Sequence, residues 1–132
     1  MPNAAIKDFA QRCPIVVTGR HLPAPQTYSL PIKDRLGATL AMRHLIGLGH
    51  RRIAFIAGSE NHPDALERLA GYREALQEAR ISFEPPLVAH GDWQERGGLI
   101  ATTQLLESGR AFTAVFCVND QTAYGAYLAL FR

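Results

Sequence analysis

The side chains of this 132-residue chain that could carry out a reaction are few and scattered. The five histidines, His21, His44, His50, His62 and His90, show no metal-ligand spacing; His44 and His50 lie six positions apart, on different faces of a helix, so no metal site is expected. At what read as strand ends, the acid–base groups are Asp92, Asp120 and His90, with no recognisable partner geometry. The sequence contains no Gly-x-Ser-x-Gly elbow, no Gly-x-x-x-x-Gly-Lys phosphate loop and no Gly-x-Gly-x-x-Gly after a strand. These absences point away from an enzyme and from a cofactor, and toward a binding module.

Composition narrows the class further. Hydrophobic residues make up 47% and charged residues 20%, enough apolar surface to offset the entropy of ordering one globular domain. The net charge is +2 and the basic residues are scattered apart from Arg51-Arg52 and nearby Arg43, a pattern unlike a nucleic-acid footprint. Arg51-Arg52 falls in a helix-to-strand turn, where solvated side chains are the rule. Cys13 and Cys117 each sit in an apolar run, which predicts reduced, small-hydrophobe behaviour and no disulfide framework. Neither a membrane-length apolar stretch nor a signal-peptide core is visible, so a cytoplasmic protein without membrane contact is expected.

Strands alternating with helices must position the polar groups. A short helical turn is outlined by Ile6, Phe9 and Ala10, a strand by Cys13 to Thr18 ending at Gly19, and an extended connector by Arg20 to Pro31 with its three prolines. Asp34 is suited to cap a helix whose apolar face reads as Leu36, Leu40, Leu45 and Leu48, stopped by Gly49. The strand Arg52 to Ala57 follows, then a helix capped by Asp64 with a stripe through Leu66, Leu69, Ala70, Leu76 and Ala79. Leu87 to Ala89 reads as a short strand, and Gln94 to Ser108 as a helix with Leu99, Ile100, Leu105 and Leu106 as its apolar residues. Thr113 to Val118 is the strongest strand signal, and Asn119-Asp120 opens a last helix predicted to be still running at Arg132. Such alternation predicts a three-layer α/β/α sandwich with a mostly parallel sheet and ligands at the carboxyl ends of its strands.

One combination is more specific than its parts. Leu48-Gly49-His50-Arg51-Arg52-Ile53, Arg68-Leu69-Ala70-Gly71-Tyr72 and Asn119-Asp120-Gln121-Thr122-Ala123-Tyr124-Gly125 follow one another in an order and separation that closely resemble the LacI/GalR transcriptional repressors. The resemblance covers about residues 13 to 132. It implies the type I periplasmic-binding-protein fold, in which two α/β subdomains close on a small molecule, often a sugar, and so alter how an attached helix-turn-helix dimer grips operator DNA. Residues 1–33 would then be a remnant of the first subdomain with the inter-subdomain connector, and 34–132 a second subdomain that is incomplete.

The resemblance also implies site residues. Arg68 matches an arginine that reaches toward ligand oxygens, a task suited to a forked guanidinium; without the match it would read as a solvated arginine paired with Glu67 or Glu74. Trp93, the only Trp, matches an aromatic that stacks on an apolar ligand face, and reads equally as a cover for the core edge. Asn119 matches a residue that hydrogen-bonds ligand hydroxyls, whereas Asp120 reads as the helix cap with ligand contact as its alternative. Gly19 stands where some members carry an acidic contact; Arg20 is the substitute there, or else a salt-bridged connector residue.

Judged by the resemblance, the chain lacks the helix-turn-helix and a later cleft loop, so operator DNA would be reached only through an absent domain and the site would be partial. An uncovered sheet edge and the apolar residues Leu128 to Phe131 then predict self-association. The alternatives are a sugar-binding protein of a transport system, a small α/β enzyme, and a piece that only oligomerises.

Overall fold

The computed structural model describes residues 1–131, which divide into two compact units, Met1–Lys33 and the chain from Asp34 on. In the first unit, helix α1 (Asn3–Ala10) precedes strand β1 (Ile15–Thr18), which pairs in parallel with strand β2 (Thr27–Leu30) in the register Ile15 to Thr27 through Thr18 to Leu30. Ile6, Val17 and Leu22 form its small core. Strand β2 lies inside the segment expected to be only a connector. The loop is folded back because the Leu22 amide donates to Ser29 Oγ at 2.9 Å, and the prolines at 23, 25 and 31 all fall outside the four paired residues. Cys13 is exposed rather than packed as a small hydrophobe, since it precedes β1 instead of belonging to it.

The second unit runs α2 (Asp34–Gly47), β3 (Ile53–Ala57), α3 (Pro63–Glu78), a 3-10 turn at Pro85–Leu87, β4 (Val88–His90), α4 (Glu95–Glu107), β5 (Ala114–Cys117) and α5 (Asp120–Leu130). Its sheet has the order β4-β3-β5 with every pair parallel. On one face, Ile53, Phe55 and Ala57 pack with Met42 of α2 and with Tyr72, Ala75 and Leu76 of α3. On the other, Ala54 and Ile56 pack with Ala101 and Leu105 of α4, and α4 lies against α5. The result is the expected three-layer α/β/α arrangement. Tyr72 ties one layer to the next: its hydroxyl donates to the Ile53 carbonyl at 2.8 Å and its ring stacks on Phe55 at 5.2 Å. Burial pushes that phenol up to about 12.

The leucine stripes expected on two helices are not the buried faces. Leu36, Leu40 and Leu48 are about half exposed or more, while α2 buries Ala38, Thr39 and Met42. Helix α4 likewise leaves Ile100 and Leu106 exposed and buries Gly97, Gly98, Ala101, Thr102 and Leu105; Leu66 of α3 is exposed as well. The cause is close approach of the paired helices. A Cβ at Gly71 of α3 would collide with the Arg35 carbonyl of α2, and one at Gly98 or Gly125 with the backbone of the facing helix in the α4–α5 pair. Small residues therefore occupy both seams, and bulky ones are displaced to the flanks. Helix α5 ends at Leu130, with Phe131 as its cap, and Arg132 lies outside the described residues.

Candidate functional site

The carboxyl ends of the three parallel strands place Gly58, the Gly91–Trp93 turn and Val118-Asn119 side by side, and the N-terminal half of α3 brings Arg68 to them. Arg68 is not paired with Glu67 or Glu74. Its Nε donates to Asp34 Oδ1 at 2.7 Å, its Nη2 lies 2.7 Å from the same oxygen, and its Nη1 donates to the Val118 carbonyl. Glu67 instead takes Arg35 of the neighbouring helix at 3.1 Å. The Arg68 and Asp34 side chains are 22% and 8% exposed, so this ion pair is far more shielded than the half-exposed Arg43–Glu78 pair. Asp34, expected to cap α2, is its first residue and turns its carboxylate to α3.

Trp93 adopts a left-handed backbone, φ 71°, which for a bulky side chain costs about 1–3 kcal/mol and persists only where surroundings impose it. Those surroundings are visible. Asn119 Nδ2 donates to the Trp93 carbonyl at 3.0 Å, and Asp92 Oδ1 accepts from the Gln94 amide at 3.0 Å. The indole lies over Gly58, where a Cβ would sit 2.5 Å from its Cε2, and it also packs on the larger core. The Arg68 guanidinium carbon is 5.4 Å from the ring centroid, and the His62 ring meets it edge-on at 4.9 Å. Trp93 Nε1 is buried and has no hydrogen-bond partner among the described residues.

Asn119, not Asp120, caps α5: its Oδ1 accepts from the Thr122 amide at 2.9 Å, while Asp120 is the exposed first helical residue. Asparagine wins because its extended backbone lets one amide cap the helix and hold the Trp93 turn together. In the same way His62 caps α3 in place of Asp64, its Nδ1 accepting the Asp64 amide at 3.3 Å. Arg68, Trp93 and Asn119 thus form one linked group. Arg20 belongs to the first unit, where its Nη1 donates to the Met1 carbonyl and to Asn3 Oδ1 at 3.2 and 3.1 Å.

Asp34 and His62 are neighbours of this group that the sequence does not mark as members; Gly58, directly after β3, stands at the strand ends where ligands are expected. Spacing carried no signal for Asp34, which lies 34 positions from Arg68; the His62-Pro63 start of α3 did mark a cap position. His90, at the end of β4, has Nδ1 3.3 Å from the Gly58 carbonyl and Nε2 3.7 Å from Glu60. No group of three or more metal-ligating side chains occurs among the described residues. A cavity of about 800 Å³ begins at Arg68, Asn119 and Asp120 and continues along β5 and α5 past Val115, Tyr127 and Leu130. Most of it follows the unpaired edge of β5, and only its end reaches the linked group.

Relatives place the geometry in a family. Residues 3–132 match the family described as periplasmic binding proteins and sugar binding domain of the LacI family. The HTH-type transcriptional regulator GalR of Escherichia coli is 42% identical over 127 residues, 96% of this chain and 37% of GalR. AscG of the same organism is 38% identical over 89% of this chain and 35% of its own. Among solved structures, a sugar-binding transcriptional regulator of the LacI family from E. coli, complexed with phosphate, superposes with a TM-score of 0.83 at 34% identity, over 99% of this chain and 48% of that one. A CelR–cellobiose complex gives 0.78 at 36% identity, over 88% of this chain and 36% of that one. The chain spans little more than a third of the length of the curated relatives it matches. With a family match over residues 3–132, 42% identity to GalR and a TM-score of 0.83 over 99% of its length, this chain belongs to the family of LacI-type sugar-binding domains and periplasmic binding proteins.

Proposed function

We propose that the chain supplies one wall of the effector site of a LacI/GalR-type transcriptional regulator, and that the effector is a sugar. The observation that carries this reading is the linked group at the carboxyl ends of the parallel strands, where such folds gather ligands. Arg68 offers N–H donors to hydroxyl oxygens, Trp93 an aromatic surface to an apolar sugar face, and Asn119 the one amide N–H left after its cap and its bond to Trp93. Asp120, exposed beside Asn119, is a further contact at the rim of the cavity. Arg20, in the first unit, stays a candidate for contact with the same effector.

The relatives support sensing over catalysis: they are transcriptional regulators, one solved structure is of CelR with cellobiose, and another relative is named a ribose operon repressor. That they are transcriptional regulators supports a cytoplasmic location, with operator contact made by parts of a regulator other than this wall. No helix among the described residues is long and apolar enough to cross a membrane. Self-association belongs to the same proposal, supported by the unpaired edge of β5 and by exposed Tyr127, Leu128, Leu130 and Phe131.

Calorimetric titration with D-glucose, D-galactose, D-ribose and cellobiose tests the site. Binding of at least one sugar is expected, weakened about tenfold or more in Arg68→Ala, which removes charge-assisted hydrogen bonds. An Arg68→Ala chain that binds its best sugar as tightly as the unsubstituted one overturns the assignment, as does a panel without any binder. Light scattering that shows a monomer at high concentration removes the self-association.

A further inference from the structure

We propose that Asp34 is a positioning residue for Arg68: it fixes the guanidinium over Trp93 and leaves two N–H groups, one on each Nη, for ligand oxygens. This rests on the sugar-site reading but is argued from a different set of contacts. A guanidinium has five N–H donors. Three are committed, with Nε and Nη2 directed at Asp34 Oδ1 and Nη1 at the Val118 carbonyl. The two remaining donors sit on different nitrogens of one rigid plane, so fixing three fixes the direction of the other two.

Among the groups near Arg68, Asp34 is the one that can do this. The Val118 carbonyl, at the end of β5, is a single neutral acceptor on one nitrogen and leaves the plane free to pivot about that bond. Trp93 attracts the charge through its face at 5.4 Å without specifying an orientation. Glu67, next in sequence, is drawn off by Arg35 through two bonds of 3.1 Å. That pairing keeps a second carboxylate away from Arg68, which would otherwise divide its donors between two anions. Asp34 is 8% exposed in its side chain and stands on the first turn of α2, a rigid element that packs on α3 along the Gly71 seam. The short, buried carboxylate therefore sets where the guanidinium can lie.

The placement has a second consequence. Asp34 is the first residue of the second unit, immediately after Lys33, the last of the first unit. Whatever draws on the Arg68 donors acts, through one ion pair, on the residue where α2 begins.

The test uses the full chain with Asp34→Asn, Asp34→Glu and Arg68→Lys. In 1H–15N spectra the Arg68 Nε–H signal is the one that Arg68→Lys removes. It should be sharp and slow to exchange in the unsubstituted chain, lost or averaged in Asp34→Asn, and retained in Asp34→Glu. Emission of Trp93, the only Trp, should shift in Asp34→Asn and stay in place in Asp34→Glu. With the tightest binder of the four sugars, affinity should fall about tenfold in Asp34→Asn and return in Asp34→Glu, because a charge-assisted donor pair is no longer aimed. An Arg68 Nε–H signal that survives Asp34→Asn unchanged overturns the proposal. So does an Asp34→Asn chain that keeps its signal loss yet binds sugar as tightly as before. If no sugar binds the unsubstituted chain, the functional reading falls alone, and the Nε–H signal and Trp93 emission still decide whether Asp34 orients Arg68.

Discussion

Strands β3 and β5 are neighbours in one parallel sheet, are built from similar apolar residues and stack Phe55 on Phe116 at 4.9 Å, yet their surroundings differ at every position. All five residues of β3 are buried, and all four of β5 are only half-buried. The difference is one of neighbours. Strand β3 has β4 on one side and β5 on the other, whereas among the described residues β5 pairs with β3 alone and its far edge faces the cavity that runs beside α5. Hydrophobic composition reports that a strand belongs in a sheet; its place in the sheet order sets how much of it water can reach.

Substitutions that separate the two strands should fall into a clear order. Phe55→Ala, at a fully buried ring, should cost about 3–5 kcal/mol in urea unfolding, and Phe116→Ala about 1–2 kcal/mol, because that ring is only partly buried. Equal losses would mean that β5 is covered in solution. Tyr72→Phe should cost about 1 kcal/mol by freeing the Ile53 carbonyl at the start of β3.

The same phenol gives a pH signature. Its folded pKa is raised from 10.0 to about 12, so its contribution is fully present below pH 10 and is lost as pH rises toward 12. The alkaline decline should be shallower in Tyr72→Phe, and an unchanged decline would assign it to other groups. Burial likewise pushes the Cys117 thiol of β5 up to about 11, so at pH 8 it should alkylate far more slowly than exposed Cys13. Comparable labelling of the two would show that β5 opens readily. The smallest effect is expected for Val115→Thr beside the cavity, a change of about 1 kcal/mol or less in thermal unfolding.

Much of the fold was legible in the residues, for reasons that are local. The strands around Ile53 and Ala114 announced themselves by short apolar runs, Gly49 and Gly109 stopped their helices at positive φ, and helix α4 began and ended within a residue of its expected bounds. The leucine faces mislead because hydrophobicity alone does not mark the buried side. In both helix pairs the backbones approach so closely that glycine, alanine and threonine fill the seam. Strand β2 is not legible because four residues between prolines carry little pattern of their own; pairing with β1 makes them a strand.

For the candidate site, the sequence by itself determined the alternation of strands and helices, the parallel class, the family motifs and so the prominence of Arg68, Trp93 and Asn119. Local hydrogen bonding and periodicity need only near neighbours along the chain. Tertiary structure decided that Asp34 holds Arg68, that Asn119 both caps α5 and secures the Trp93 turn, and that Gly58 makes room for the indole. Each of those contacts joins groups about 25 to 35 positions apart in the sequence, apart from the cap itself. Such a distance is closed only when parallel crossovers bring strand ends and helix starts to one edge of the sheet.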